Sequence, residues 1–293
     1  MNFKLIIAVL IVGIVWGTTF LGIKIGVETI PPWFVAGMRQ FLAACILFPV
    51  LLFKGNLKWI GWKEFRIQAM LSALMLVGAN GLTTVAEEHL TSSLTSLISA
   101  LSPVFIFIGS IMIRIEKFSF KSFVGLLLGF SGVIFIFWDG LAELANPDYL
   151  GGIIVLFLGL ISWAIGTLYA KTQNHRKNSN LILNLFYQFA FAGIVQLVFA
   201  FVFSGDFEVK NWSFRSISAV IYLAVFGSVT AFFAFHYLLK RLLPTQVSML
   251  SYVNTIISIF LSWLILDEAI SEKFIIATVL IISGVFIINY KKR

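Results

Sequence analysis

Few side chains in this sequence could do chemistry, and those few are scattered rather than clustered. Glu87-Glu88-His89 sets carboxylates beside an imidazole, a grouping that relays protons where one member is buried. His236 stands in an apolar run, where it either shares that role or packs against a neighbour's hydroxyl. Glu88, His89 and His236 are thus the candidates for proton coupling, the plainer reading being solvated or packed side chains. Arg39 also lies within an apolar run. An ionised side chain among lipid tails costs at least about 2.5–3.5 kcal/mol, so Arg39 must face protein or water. It either attracts a substrate carboxylate, pairs with Glu87 or Glu88, or snorkels to headgroups.

Neutral polar residues in the middle of apolar runs are better candidates for lining a binding cavity, because a polar group facing lipid loses its hydrogen bonds. Asn80, Tyr187, Gln188, Tyr252 and Asn254 qualify. Trp16 and Trp163 could add apolar walls with an indole donor, their alternative being core packing. Glu116 and Glu268 end two apolar runs and suit capping or loop anchoring. The single Cys45 cannot form an intrachain disulfide and supplies no metal cluster, so no metal site and no cofactor is expected. The acidic pairs Glu87-Glu88 and Asp267-Glu268 are isolated and no P-loop occurs, which argues against Mg²⁺-pyrophosphate chemistry and ATP hydrolysis.

The elements that must position these residues are membrane helices. The 293 residues are 60% apolar and 12% charged, far from a soluble balance, and mean hydropathy is +1.00. About 20 apolar residues cross the hydrocarbon core. Ten stretches are long enough: Leu5 to Ile25, Trp33 to Phe53, Ile67 to Ala86, Ser92 to Ile113, Phe123 to Trp138, Gly151 to Ala170, Leu181 to Phe203, Ile217 to Leu239, Thr245 to Leu266 and Phe274 to Tyr290. No A-x-A-like cleavage site precedes Lys24 and nine further stretches follow, so the first one reads as a retained helix rather than a signal peptide.

Charge then orients the chain. With the N-terminus inside, Lys4, Lys54, Lys58, Lys63, Arg66, Arg114, Lys117, Lys121, Lys171, Arg176, Lys177, Lys240, Arg241, Lys291, Lys292 and Arg293 all fall on the inner side. Only Lys210, Arg215 and Lys273 fall in outer loops, where the acids Glu28, Asp139, Glu143, Asp148, Asp206, Glu208 and Glu272 gather. This positive-inside pattern predicts cytoplasmic termini in a multi-pass inner (plasma) membrane protein, and the net charge of +8 requires no nucleic acid. Trp59 and Trp62, interleaved with Lys58 and Lys63, read as an interfacial anchor.

The second half repeats the first. Trp16-Gly-Thr-Thr-Phe-Leu-Gly-Ile-Lys24 matches Trp163-Ala-Ile-Gly-Thr-Leu-Tyr-Ala-Lys171, and Gln40-Phe41 matches Gln188-Phe189. Gly78 matches Gly227, while Glu116, Gly132 and Val133 match Glu268, Gly284 and Val285. The odd number of five spans per copy makes the repeat inverted, with residues 1–145 and 146–293 as its halves. Two such copies can rock between inward-open and outward-open arrangements around a midplane site. Gly13, Gly17, Gly125, Gly129 and Gly132 recur at helical spacing and allow close helix contact. Those of the fifth span leave a homodimer open as an alternative.

On these features the sequence resembles the EamA-type family of the drug/metabolite transporter superfamily over nearly its whole length. The likeness is carried by Trp16-Gly17-Thr18-Thr19-Phe20, Pro31-Pro32 followed by Arg39, Leu101-Ser102-Pro103-Val104, Gly125 with Gly132-Val133, and their second copies Leu266-Asp267-Glu268 and Gly284-Val285. Where that family usually has a proline in its ninth helix, this chain has Thr255. The resemblance implies an all-α integral membrane bundle of ten helices around a central cavity, exporting or exchanging amino acids or related metabolites without ATP hydrolysis. Its expected partners are a small-molecule substrate and membrane lipid. Only Arg39 lies at appreciable depth, with Lys24 near a helix end, so an amino acid or another small amphiphile, aromatic ones included, fits better than a phosphate ester. The alternative, a polytopic enzyme acting on lipid or isoprenoid substrates, lacks its clustered acids.

Overall fold

The computed structural model describes residues 3–136, 138, 146–173, 180–205, 207–267 and 273–289. Glu268 lies outside the described residues, as do the loop charges Asp139, Glu143, Asp206, Glu272, Arg176, Lys177, Lys291, Lys292 and Arg293. In chain order the helices are α1 (Phe3–Val27), α2 (Pro32–Phe53), α3 (Trp62–His89), α4 (Ser92–Met112), α5 (Phe120–Ile136), α6 (Pro147–Gln173), α7 (Leu181–Phe203), α8 (Phe214–Leu239), α9 (Pro244–Leu266) and α10 (Phe274–Asn289). All but α5 and α10 are long and apolar enough to cross a membrane; those two are apolar but only 17 and 16 residues long. In hydrocarbon every backbone N–H and C=O must be bonded within the chain, which drives so apolar a sequence into helix.

Several helices run past the apolar stretches, α3 starting at Trp62 and α6 ending at Gln173. Hydropathy reports only the part that lies in hydrocarbon, whereas the backbone ladder continues while polar side chains reach outward. Thr91, Asn180 and Ser213 mark the helix starts chemically, each accepting a backbone N–H of the following turn.

The exposed face of a helix is as apolar as its buried one, the buried face adding small residues that allow close approach. On α6 the exposed stripe is Ile154, Leu158, Ile161 and Ile165, at spacings of three and four, while Gly152, Leu156, Gly159 and Leu160 are buried on another face. The most extensive contacts pair α2 with α7 and α5 with α10. In the second pair Gly125 abuts the carbonyl of Gly284 and Gly132 that of Ala277, while Gly129 receives the ring of Tyr252. The glycine face of α5 is therefore occupied by α10 and α9 of the same chain. Gly13 and Gly17 of α1 likewise meet Val253 and Ile257 of α9.

Two helices widen midway. Residues Ala73–Gly81 of α3 and Leu223–Thr230 of α8 form π-helical segments, matched in position along the two halves of the chain. Widened turns leave carbonyls poorly bonded, and here side chains take them up: Ser162 Oγ donates to Leu74 O at 2.7 Å, Asn80 Nδ2 to Met75 O at 3.1 Å, Gln196 Nε2 to Leu76 O at 2.8 Å and Trp16 Nε1 to Gly227 O at 3.2 Å. α4 breaks at Ala100 and Leu101, directly before Pro103, whose ring cannot donate to the carbonyl of Ser99. At the corresponding place α9 is unbroken from Leu250 to Leu266. Thr255 keeps its N–H for the ladder and its hydroxyl donates to Ser96 O and Ser251 O at 3.1 and 3.0 Å.

Lysines tie down the ends of both widened helices. Lys24 Nζ donates to Glu87 O and Leu90 O, and Lys171 Nζ to Leu239 O and Leu242 O, all at 2.8 Å. An ammonium suits a helix C-terminus, where carbonyls lack partners and the dipole is negative. Hydrogen bonds to a charged group contribute about 1.5–3 kcal/mol each, so Lys24→Met and Lys171→Met should each lower the midpoint of thermal unfolding in detergent clearly. An unchanged midpoint in either would show that the lysine contributes nothing there. Glu116 plays a related part at the start of α9, its Oε1 accepting from the N–H and hydroxyl of Thr245 at 3.0 and 3.1 Å.

Candidate functional site

One cavity gathers several of the polar residues that lie midway along the helices. Its wall is drawn from α1, α2, α3, α4, α6 and α9 and includes Trp16, Arg39, Asn80, Trp163 and Asn254. It measures about 110 Å³, room for only a few molecules of water's size. Five of the residues picked out by sequence for substrate contact therefore meet, although they come from five different helices.

The floor is aromatic. Trp16 and Trp163 meet edge to face with ring centroids 5.2 Å apart, and each also contacts Phe232 and Phe235. Below them Val12, Leu47, Leu71, Met75 and Phe189 are buried in one apolar cluster. The other cavity residues of α1, namely Thr19, Phe20 and Ile23, all follow Trp16, and those of α6, Leu156, Gly159 and Leu160, all precede Trp163. The cavity thus lies on the side of the tryptophan pair that carries Glu28, Glu88 and Asp148, and is sealed toward the side that carries Lys58, Lys171 and Lys240.

Arg39 is 2% exposed and provides the cavity's one charged side chain. Its Nε donates to Ser228 Oγ at 2.9 Å, and that hydroxyl donates onward to Gln40 Oε1 at 3.2 Å. Nη1 has no hydrogen-bond partner. Glu87, fully buried, acts electrostatically on the guanidinium. Of the two carboxylates weighed as partners it is Glu87 that faces Arg39; Glu88 is instead 3.6 Å from His89, both about half exposed.

The two asparagines are oriented by carbonyls. Asn80 spends an N–H on Met75 O. Asn254, with its amide turned to suit its surroundings, donates to Gly13 O at 2.8 Å and Leu250 O at 2.9 Å. Asn254 thus has both N–H groups engaged and offers its oxygen, while Asn80 keeps its oxygen and one N–H for bonding. The hydroxyls of Ser102 and Ser251 bond to each other at 2.8 Å, and the carbonyl released by Pro103 belongs to Ser99, also in the wall.

The remaining sequence candidates lie elsewhere. Tyr252 is wholly buried between α9 and α5, its hydroxyl donating to Leu126 O at 3.3 Å. Tyr187 donates to Lys58 O at 3.1 Å and joins Trp59, Trp62 and Phe65 in an aromatic group at the basic end. Gln188 Nε2 donates to Gln68 Oε1 at 2.6 Å, and both border a second, smaller polar cavity beside His236. Thr19, Phe20, Thr83, Ser99, Ser102 and Ser251 line the cavity of Trp16 and Arg39 and were not among the expected substrate contacts, although Thr19, Phe20 and Ser102 belong to the motifs that carry the family resemblance. Hydroxyls hide easily in helices because they bond to carbonyls three or four residues back, as Thr19 does to Trp16 O at 2.7 Å. A signal for two of them was present: Ser99 and Ser251 recur at the same separation as Glu116 and Glu268.

Comparison with known proteins adds to this geometry. The model of the EamA-like transporter family matches residues 3–138 and 150–290. The chain is 30% identical over 280 residues to the uncharacterized inner membrane transporter YedA of Escherichia coli strain K12, covering 95% of this chain and 88% of that one. It is 25% identical over 283 residues to the uncharacterized transporter YoaV of Bacillus subtilis strain 168, covering 97% and 96%. A crystal structure with 16% identity shares the fold at a TM-score of 0.76, covering 97% of this chain and 95% of that one.

Proposed function

Because the chain belongs to the EamA-like transporter family, we propose that it is a secondary transporter that exports or exchanges a small amino acid by alternating access around the central cavity. It is a multi-pass inner-membrane protein. Its ten helices cross the membrane as two inverted five-helix repeats, residues 1–145 and 146–293, with both termini in the cytoplasm. Support for the repeat comes from the paired caps of Lys24 and Lys171, the facing Trp16 and Trp163, and the two π-helical segments. On the topology set by charge, the cavity lies on the outer side of the aromatic floor and the cytoplasmic side is sealed.

The observation that carries the substrate class is the polarity of the cavity. Nη1 of Arg39 is a donor without a partner, whereas Asn80, Asn254 and the Ser99 carbonyl offer acceptors. A zwitterion matches such a wall: its carboxylate meets the guanidinium and its ammonium meets the oxygens. The volume of about 110 Å³ favours a small side chain over an aromatic one in this arrangement.

Counterflow in proteoliposomes with labelled small, branched, aromatic and polar amino acids tests the reading. Exchange of small amino acids is expected, and Asn254→Ala should weaken it about tenfold or more, since a polar group of the site is then left without its partner. Failure of every amino acid to exchange, with the protein monodisperse, would overturn the substrate class.

A further inference from the structure

On the cytoplasmic side of the aromatic floor a second polar pocket of about 30 Å³ is bordered by Glu64 and Gln68 of α3, Asn184 and Gln188 of α7, and His236 and Lys240 at the end of α8. Its hydrogen bonds form a chain. Gln188 Nε2 donates to Gln68 Oε1 at 2.6 Å and Gln68 Nε2 to Glu64 Oε1 at 2.5 Å, leading from the interior toward the helix end. Gln188 Oε1 and His236 Nε2 are both buried without a hydrogen-bond partner, and His236 is 5% exposed. The space admits one water molecule, which has the polar neighbours it would need. His236 is also the rear support of the seal: its ring contacts Phe232 and Phe235, which touch Trp16 and Trp163.

We propose that His236 is a proton-binding site and that proton uptake there, from cytoplasmic water through the Glu64–Gln68–Gln188 pocket, favours opening of the cytoplasmic side. The step is a plain proton transfer to Nε2, reversed when the proton returns to the same water. It replaces a neutral ring behind the seal by an imidazolium. The charged groups around it are Glu64 on α3, Lys240 one turn further along the chain, and Lys171 on α6, which bonds Leu239 O and is itself close to Glu116. α7 contributes only the uncharged Asn184 and Gln188, and Tyr187, which is engaged with Lys58 O. Burial and the nearby Lys240 both oppose a charged ring in the closed pocket, so an imidazolium is better accommodated once the pocket admits water. Acid on the cytoplasmic side therefore shifts the population toward the open arrangement.

A Cys45→Ser background with Asn184→Cys reports the pocket directly through labelling by a membrane-impermeant maleimide applied from the cytoplasmic face, with no substrate needed. The labelling rate, corrected for the pH dependence of the thiol with an exposed-cysteine control, is expected to rise several-fold as pH falls through the imidazole range, about 8 to 5. With His236→Gln added, which keeps a polar side chain of similar size, that rise should vanish while the unfolding midpoint in detergent stays close to its parent's. An equal pH response with and without His236→Gln overturns the proposal, as does a labelling rate that ignores pH in the parent. Counterflow measured alongside separates the two readings. Exchange without pH-dependent labelling defeats the proton site alone, and pH-dependent labelling without exchange defeats only the amino acid assignment.

Discussion

Arg39→Ala is expected to reduce counterflow by roughly thirty-fold to several thousand-fold, the range that follows from about 2–5 kcal/mol for removing one member of a buried charged contact. The residue is 2% exposed, bonded to Ser228, lines the cavity and leaves Nη1 without a hydrogen-bond partner. Arg39→Lys preserves the charge but not the planar fork, so it should retain only part of the activity. Stability should respond separately from transport. Glu87 is fully buried and acts on the guanidinium, so Arg39→Ala leaves a carboxylate in a poor environment and should lower the unfolding midpoint. Arg39→Gln combined with Glu87→Gln should restore the midpoint and leave transport low. Full counterflow in Arg39→Ala would remove the guanidinium from the substrate site; recovery of transport in the double variant would make its role structural.

Gly284→Leu should be the most destabilising single change away from the cavity. A Cβ at Gly284 would lie 2.5 Å from Gly125 O and 2.7 Å from Gly129 N, backbone atoms of α5 that cannot turn aside as a side chain can. Overpacking ordinarily costs about 1–3 kcal/mol, and a contact against backbone should reach or pass the upper end. Gly151→Leu is the matched control, because a Cβ there meets nothing within 4 Å. Thermal unfolding in detergent, followed by size-exclusion fluorescence, should show Gly151→Leu near the parent and Gly284→Leu far below it or aggregated. Similar midpoints for the two would mean that α5 and α10 separate freely, and the glycine face of α5 would again be open to a second subunit.

Much of the fold could be read without coordinates. Each of the ten apolar stretches overlaps an apolar helix among the described residues, eight of them long enough to cross a membrane, and the duplicated Trp-to-Lys spacing marks Trp16 against Trp163 and Lys24 and Lys171 as caps. Hydrophobic length is a property of consecutive residues, so it survives in a linear reading. The departure at Thr255 was equally visible, and its consequence is local: a residue with an N–H continues the ladder where Pro103 interrupts it.

Membership in the family, the helical class and the membrane location were thus determined by sequence, because apolar length, charge distribution and repeated spacing are written along the chain. Which residues share the cavity was decided only by tertiary structure. In lipid the usual contrast between an apolar and a polar helix face is missing, so nothing local separates Tyr252, locked between α9 and α5, from Asn254 two residues on, which faces the cavity. The same holds for Arg39, whose position toward Ser228 and Glu87 depends on α8 and α3. Gln188, equally polar and equally deep in sequence, went with α7 to the pocket beside His236. Side chains at adjacent positions diverge by about 100° around a helix, and only packing against other helices chooses which of those directions becomes the site.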